Sequence, residues 1–135
     1  MTLLVPNNGE GDALEYFVNR AAPENLSLRL YKSNTTPAET DTTATYTVAD
    51  FTGYANIALT GATWGAPSEG APSSIAYAQQ TFASSADQAT QNIYGYFMVR
   101  ATSGRIALAE RFSDAPVPIT NNGDQIKITP QITAD

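Results

Sequence analysis

Two hydrophobic periods divide the chain. Near the start, Leu14, Phe17 and Val18 recur at helical spacing, which predicts a short amphipathic helix. Asp12 stands where an N-cap belongs, and Glu15 three residues on completes a capping box. Pro23 closes the segment, because proline disfavours helical geometry at the residue before it. A helix of about eight or nine residues does not persist alone in water, so its apolar face is expected to dock on the rest of the chain.

From Leu26 onward the period changes to two. Leu26, Leu28 and Leu30 alternate with Ser27, Arg29 and Tyr31, the pattern of a half-buried strand. Residues 33–47 are polar and read as a long surface loop. Short strands are expected over Tyr54–Leu59 and Ile75–Phe82, then over Ile93–Ala101 and Arg105–Phe112 around a Ser103-Gly104 turn. Val117–Thr120, flanked and interrupted by Pro116 and Pro118, suits a sheet edge. Asn122-Gly123 is the strongest local hairpin signal, and Gln125–Thr133 then points Ile126, Ile128 and Ile132 inward. Seven or so strands at this spacing predict a mainly β protein: an antiparallel β-sandwich or jelly-roll-like domain with one short N-terminal helix. A closed barrel is the competing arrangement. Residues 1–10 read as an N-terminal arm and 11–135 as a single β-rich domain.

Composition narrows the chemistry. The 135 residues include no Cys and no His and carry a net charge of −6. Disulfides, thiol nucleophiles and Cys-based metal sites are thereby excluded, as are the Ser-His-Asp triad and imidazole ligands. The acidic balance argues against nucleic-acid and anionic-membrane partners, which need clustered Lys and Arg. The N-terminus has only Leu3 to Val5 as an apolar run, and no stretch approaches the length of a membrane helix. A protein made and kept in a cytosol-like compartment, or freed from it by lysis, is expected.

Asn8, Glu10 and Asp12 sit at the first alternate positions of a calcium loop, but Ala13 replaces the turn glycine and Asn19 the closing glutamate. Gly9 and Gly11 begin a dinucleotide fingerprint that Leu14 ends. A glycine-rich hinge leading into a capped helix accounts for both. Glu110 shares a strand face with Ile106, Leu108 and Phe112, so it is expected to be partly buried and to pair with Arg100 or Arg111. Its catalytic reading is a carboxylate-dependent hydrolase. Tyr94, Tyr96 and Arg100 fall on one strand face, suited to core, subunit interface or sugar stacking. Leu3, Leu4 and Val5 form an apolar tip that either adds a strand to its own sheet or docks on another subunit. The candidate partner interface is therefore Leu3, Leu4, Val5, Tyr94, Tyr96 and Arg100. No catalytic, cofactor or metal residues are assigned.

Several segments together resemble a known family. They are Leu3-Leu4-Val5-Pro6-Asn7 with Gly9-Glu10-Gly11-Asp12-Ala13-Leu14, then Asn25 to Tyr31 with Thr36 to Asp41, and Tyr54 through Leu59-Thr60-Gly61 to Trp64. Ile93-Tyr94-Gly95-Tyr96, Ala109-Glu110-Arg111-Phe112 and Asn122 to Pro130 complete the set. Taken together these resemble small virion structural proteins of tailed bacteriophages, among them capsid decoration (cement) proteins. The resemblance implies a non-enzymatic protein made in the host cytoplasm and repeated on the capsid surface of the virion. It implies binding to the major capsid protein as a homotrimer at local three-fold axes, without cofactor or metal. A tail or fibre module that binds host surface glycans is the alternative.

Overall fold

The computed structural model describes residues 4–134. Helix α1 (Asn7–Phe17) precedes ten strands among the described residues: β1 (Leu26–Tyr31), β2 (Ile57–Leu59), β3 (Ser73–Ala76), β4 (Gln80–Ala83), β5 (Gln91–Ile93), β6 (Gly95–Arg100), β7 (Ile106–Arg111), β8 (Val117–Ile119), β9 (Gln125–Ile128) and β10 (Gln131–Ala134). The protein is mainly β, and every strand pair is antiparallel.

One four-stranded sheet runs in the order β2-β1-β6-β7. It is open, ending at β2 and β7, so the barrel alternative does not hold. Strands β3 to β10 pair in a nested order: β6 with β7, β5 with β8, β4 with β9 and β3 with β10. This is a single long hairpin, centred on a turn where Gly104 adopts φ +71°, and interrupted at matching places on both arms. Tyr94 breaks one arm and Phe112 the other, and the Phe112 amide donates to the Tyr94 carbonyl at 2.9 Å. Further out, the Tyr77 amide donates to the Pro130 carbonyl at 2.8 Å.

Those paired breaks explain where the structure departs from the strand pattern. Ile75–Phe82 divides into β3 and β4, and Gln125–Thr133 divides into β9 and β10 at Pro130, which has no N–H for a ladder. The stretch 54–56 is not strand, leaving β2 at three residues. The turn at Asn122-Gly123 forms, with Gly123 at φ +89°, yet it makes no hairpin. Its flanking strands belong to different ribbons, β8 to β5 and β9 to β4. Instead the Asp124 carboxylate accepts from the Thr120 and Asn121 amides at 2.8 Å each and holds the turn.

The core has two parts, one on each side of β6. Leu28, Leu30, Met98 and Leu108 face Phe82, Ile93, Ile119, Ile126 and Ile128 of the ribbons, a sandwich-like arrangement of sheet against ribbons. On the other face, Tyr31, Tyr46, Phe97, Val99, Ile106 and Ala109 form a second cluster. Tyr46 stacks on Phe97 with ring centroids 5.0 Å apart, so the segment read as a solvated loop packs a side chain onto the sheet's outer side. Burying a ring such as Phe97 stabilises the fold by about 1.5–3 kcal/mol. Gly95 lies against the second cluster, and a Cβ there would overlap the Glu110 carbonyl and crowd the Tyr31 ring.

Candidate interaction surface

Helix α1 is built the opposite way round from its sequence pattern. It begins at Asn7, inside the stretch read as an arm, with the Gly9 and Glu10 amides donating to the Pro6 carbonyl at 2.7 and 3.1 Å. Asp12 is therefore not its N-cap but a residue of its middle, and the hinge reading of the glycines gives way to helix. Gly9 lies against the Ala107 carbonyl so closely that no Cβ fits. One turn on, Asp12 is buried, and Tyr16 follows on the same side. This inward stripe is small and polar. Consequently Leu14, Phe17 and Val18, expected to pack inward, stand 69, 89 and 67 % exposed.

Ion pairs, not apolar packing, fasten the helix. The Arg100 Nε lies 3.0 Å from Asp12 Oδ2, and the Arg105 Nε lies 3.1 Å from Asp12 Oδ1. The Arg100 Nε also donates to the Tyr16 hydroxyl at 2.7 Å, with its guanidinium 5.2 Å from that ring's centroid. Arg100 is only 6 % exposed, and its Nη1 is buried without an acceptor. Two cavities adjoin it. One, of about 240 Å³, is lined by the charged Asp12, Glu15, Glu24 and Arg105 together with Tyr16, Ala21 and Ala22. The other, of about 260 Å³, is mostly apolar and includes Tyr16, Leu26, Leu59, Trp64 and Leu108. Glu24 accepts from the Ser103 and Thr102 amides at 2.8 and 2.7 Å, and these bonds hold its carboxyl below the usual range.

The candidate interface residues do not form one surface; among the described ones only Val5 and Arg100 meet, on the apolar cavity. Leu3 lies outside the described residues. Leu4 exchanges two 2.9 Å backbone hydrogen bonds with Ala109, adding a bridge to the free edge of β7. Val5 is half-buried and lines the apolar cavity. Tyr94 and Tyr96 do not share a face, because the break between β5 and β6 resets the alternation. Tyr94 packs on the outer cluster with the Arg111 guanidinium 5.1 Å from its ring, while Tyr96 is buried in the main core. Arg100, on the Tyr96 side, is occupied by Asp12.

Glu110 is buried, but its partner is neither arginine. The Tyr96 hydroxyl donates a hydrogen bond to its carboxylate. Burial first, then that bond, pushes the Tyr96 hydroxyl well above the usual tyrosine range. Arg111 is taken instead by the Thr35 carbonyl and the Asn34 side chain, at 3.0 and 2.8 Å. Tyr96, Glu110 and Phe112 line a cavity of about 430 Å³ together with Lys127, Thr129 and Gln131.

No family model, curated protein or solved structure matches this chain. The surface that stands out is one the sequence pattern assigned to the interior. The available signal was the spacing of Gly9, Asp12 and Tyr16, a small-polar stripe that only the partners Arg100 and Arg105 make into a docking face.

Proposed function

We propose that this protein is a non-enzymatic virion structural protein of the tailed-phage kind, a head decoration (cement) protein that binds the major capsid protein and stabilises the capsid, in a trimeric form. The observation that carries the reading is the outward apolar end of α1. A helix held by a buried ion pair presents Leu14, Phe17 and Val18 to solvent, and an apolar projection of this kind is what an adhesive contact needs. The exposed Glu10 and half-buried Glu15 flank the patch, and the chain carries a net −6. Like-charged copies meeting there would repel, so the chemistry favours a partner with an apolar recess and a basic rim. Repetition over a particle surface lets each contact be modest.

The nested pairing of β3 to β10 supports the jelly-roll part of the fold reading, since that architecture is a long hairpin wound over itself. The test is coating of phage heads stripped of this protein. Native chain is expected to bind and to protect the heads against thermal rupture. Phe17→Glu, at an exposed site, is expected to fold normally and fail to coat; undiminished coating by that variant would sink the proposal.

One observation favours the second reading, a tail or fibre module that binds host glycans. The cavity beside Tyr96, Glu110 and Phe112 joins aromatic walls to a carboxylate and several hydroxyl and amide groups, a set suited to a sugar ring. Its lining holds one carboxylate, whereas glycoside hydrolysis uses a pair, so binding is the better reading of this cavity than turnover. A glycan array that lights up for the native chain and not for Glu110→Gln would favour this second role over decoration.

A further inference from the structure

Glu110 is the only acid in the four-stranded sheet, and it has no cationic partner among the described residues. It is 8 % exposed, and one neutral hydroxyl, that of Tyr96, donates to its Oε2. Arg111, next in the chain, is spent on Asn34 and Thr35. The Glu110 side chain lies on the core side of the sheet with Tyr96 and Phe112, the residues with which it lines the 430 Å³ cavity. It lines neither of the cavities beside Arg100. Its second oxygen, Oε1, accepts no hydrogen bond from the chain. Among the described residues Arg100 Nη1 is the only side-chain atom both sealed and without a partner, so Oε1 is reached by solvent.

A carboxylate withdrawn from water needs more than one neutral hydroxyl to offset its lost hydration. What the cavity lacks is a cationic donor. The Tyr96 and Phe112 rings, with centroids 6.2 Å apart and tilted by 39°, stand beside the acid, and aromatic faces attract ammonium groups as well. Where β9 gives way to β10 across Pro130, Thr129, Gln131 and Thr133 add hydroxyl and amide groups to the lining. Those groups suit the hydroxyls of a sugar better than an alkyl chain. Lys127 lines the cavity too, but it is exposed and its charge is damped by water, whereas the carboxylate is nine-tenths buried. The buried charge therefore sets the sign of the ligand.

We propose that this cavity binds an amino sugar, a hexosamine whose amine is free and protonated, with the ammonium donating to Glu110 Oε1. The inference rests on the glycan reading of the cavity and narrows it from sugars in general to those that carry a positive charge. A neutral hexose can donate a hydroxyl to Oε1 but leaves the charge uncompensated. N-acetylation keeps the ring and removes the charge. Preference for the free amine over both follows from the stronger hydrogen bond between two charged groups.

Amide NMR shifts of the full-length protein are followed while it is titrated with glucosamine, N-acetylglucosamine and glucose. All three titrations run at one ionic strength and at about pH 6, well below the ordinary range of an amine. Glucosamine is expected to shift Tyr96, Glu110 and Gln131 saturably and to bind about tenfold more tightly than either neutral sugar. Glu110→Gln keeps the shape and still accepts from Tyr96, and is expected to bring glucosamine down to the level of glucose. Lys127→Gln, at an exposed strand position that leaves the fold intact, removes a like charge and is expected to tighten glucosamine about twofold. Glucose or N-acetylglucosamine binding as tightly as glucosamine would overturn the inference and leave the glycan reading standing. Shifts from none of the three would overturn the inference, and the glycan array then decides the broader reading. A preference for glucosamine that survives Glu110→Gln, or Lys127→Gln binding it no more tightly, would also overturn it, since the amine would then lie elsewhere.

Discussion

Asp12 holds two arginines at once, and that sets a large single-residue effect. Removing it leaves Arg100 buried without a counter-charge, and a broken buried pair costs about 3–5 kcal/mol. Asp12→Ala is therefore expected to lower the urea midpoint sharply, and the double variant Asp12→Ala, Arg100→Met to recover much of the loss, since an apolar replacement carries no stranded charge. A double variant no better than the single would place the cost in helix contacts instead. The sequence made Asp12 visible but gave it the wrong task. An aspartate before an apolar spacing satisfies the rule for an N-cap, and the rule for a buried ion pair depends on Arg100 and Arg105, whose position only the fold sets. Glu110 was better read, because strand parity puts it on the face of Leu108; Ile106, expected on that face too, lies in the outer cluster because the β6-β7 ladder shifts register at Met98 and Val99, and the Tyr96 partner stayed hidden behind the two nearby arginines.

At the level of elements, helix α1 separates stability from adhesion. Phe17→Ser removes a ring that touches little of its own chain, so unfolding free energy is expected to change by less than about 0.5 kcal/mol. Chemical denaturation of the two proteins side by side checks this, and a larger loss would mean that the ring packs inward in solution. Strands were more legible than the helix. The alternation of Leu26, Leu28 and Leu30, and of Ile126 and Ile128, follows directly from a pleated ladder with one core face, although the other face of β1, expected to be wet, is covered too, with Tyr31 fully buried in the outer cluster. Their ends were not legible. Tyr77 and Tyr94 continue the local strand pattern, and the breaks arise because the opposite arm turns at Pro130 and Phe112, a long-range constraint with no local signature. The Asn122-Gly123 turn shows the same limit: the dipeptide fixes a reversal but not which strands pair after it.

For the whole molecule, titration should be felt at both ends of the pH scale. Asp124, Glu24 and Asp50 have carboxyls held below their usual values, chiefly by backbone amides for the first two and by Lys32 for the third. A depressed folded pKa means the unfolded chain takes up protons first. That stability is present above about pH 4 and is lost as pH falls through the folded values. Asp124→Asn is expected to flatten the acid limb of a midpoint-against-pH curve; an unchanged limb would count against its role in the turn. Tyrosines move the other way. Burial pushes Tyr31 up to about 12 and raises Tyr46, Tyr54 and Tyr96. Stability is thus full below about pH 10 and declines as the unfolded chain ionises first. Tyrosinate absorbance is expected to rise in two stages, the second coincident with unfolding. A single stage near pH 10 with the fold intact would contradict the burial of these four rings.

Nested pairing has a further consequence during synthesis. The β6-β7 hairpin can close as soon as both strands have left the ribosome, whereas β3 waits unpaired until residues 131–134 emerge. The nascent polypeptide therefore carries an open edge while residues 77–130 are being added, and its last ladder to close is the one most exposed to capture by a chaperone.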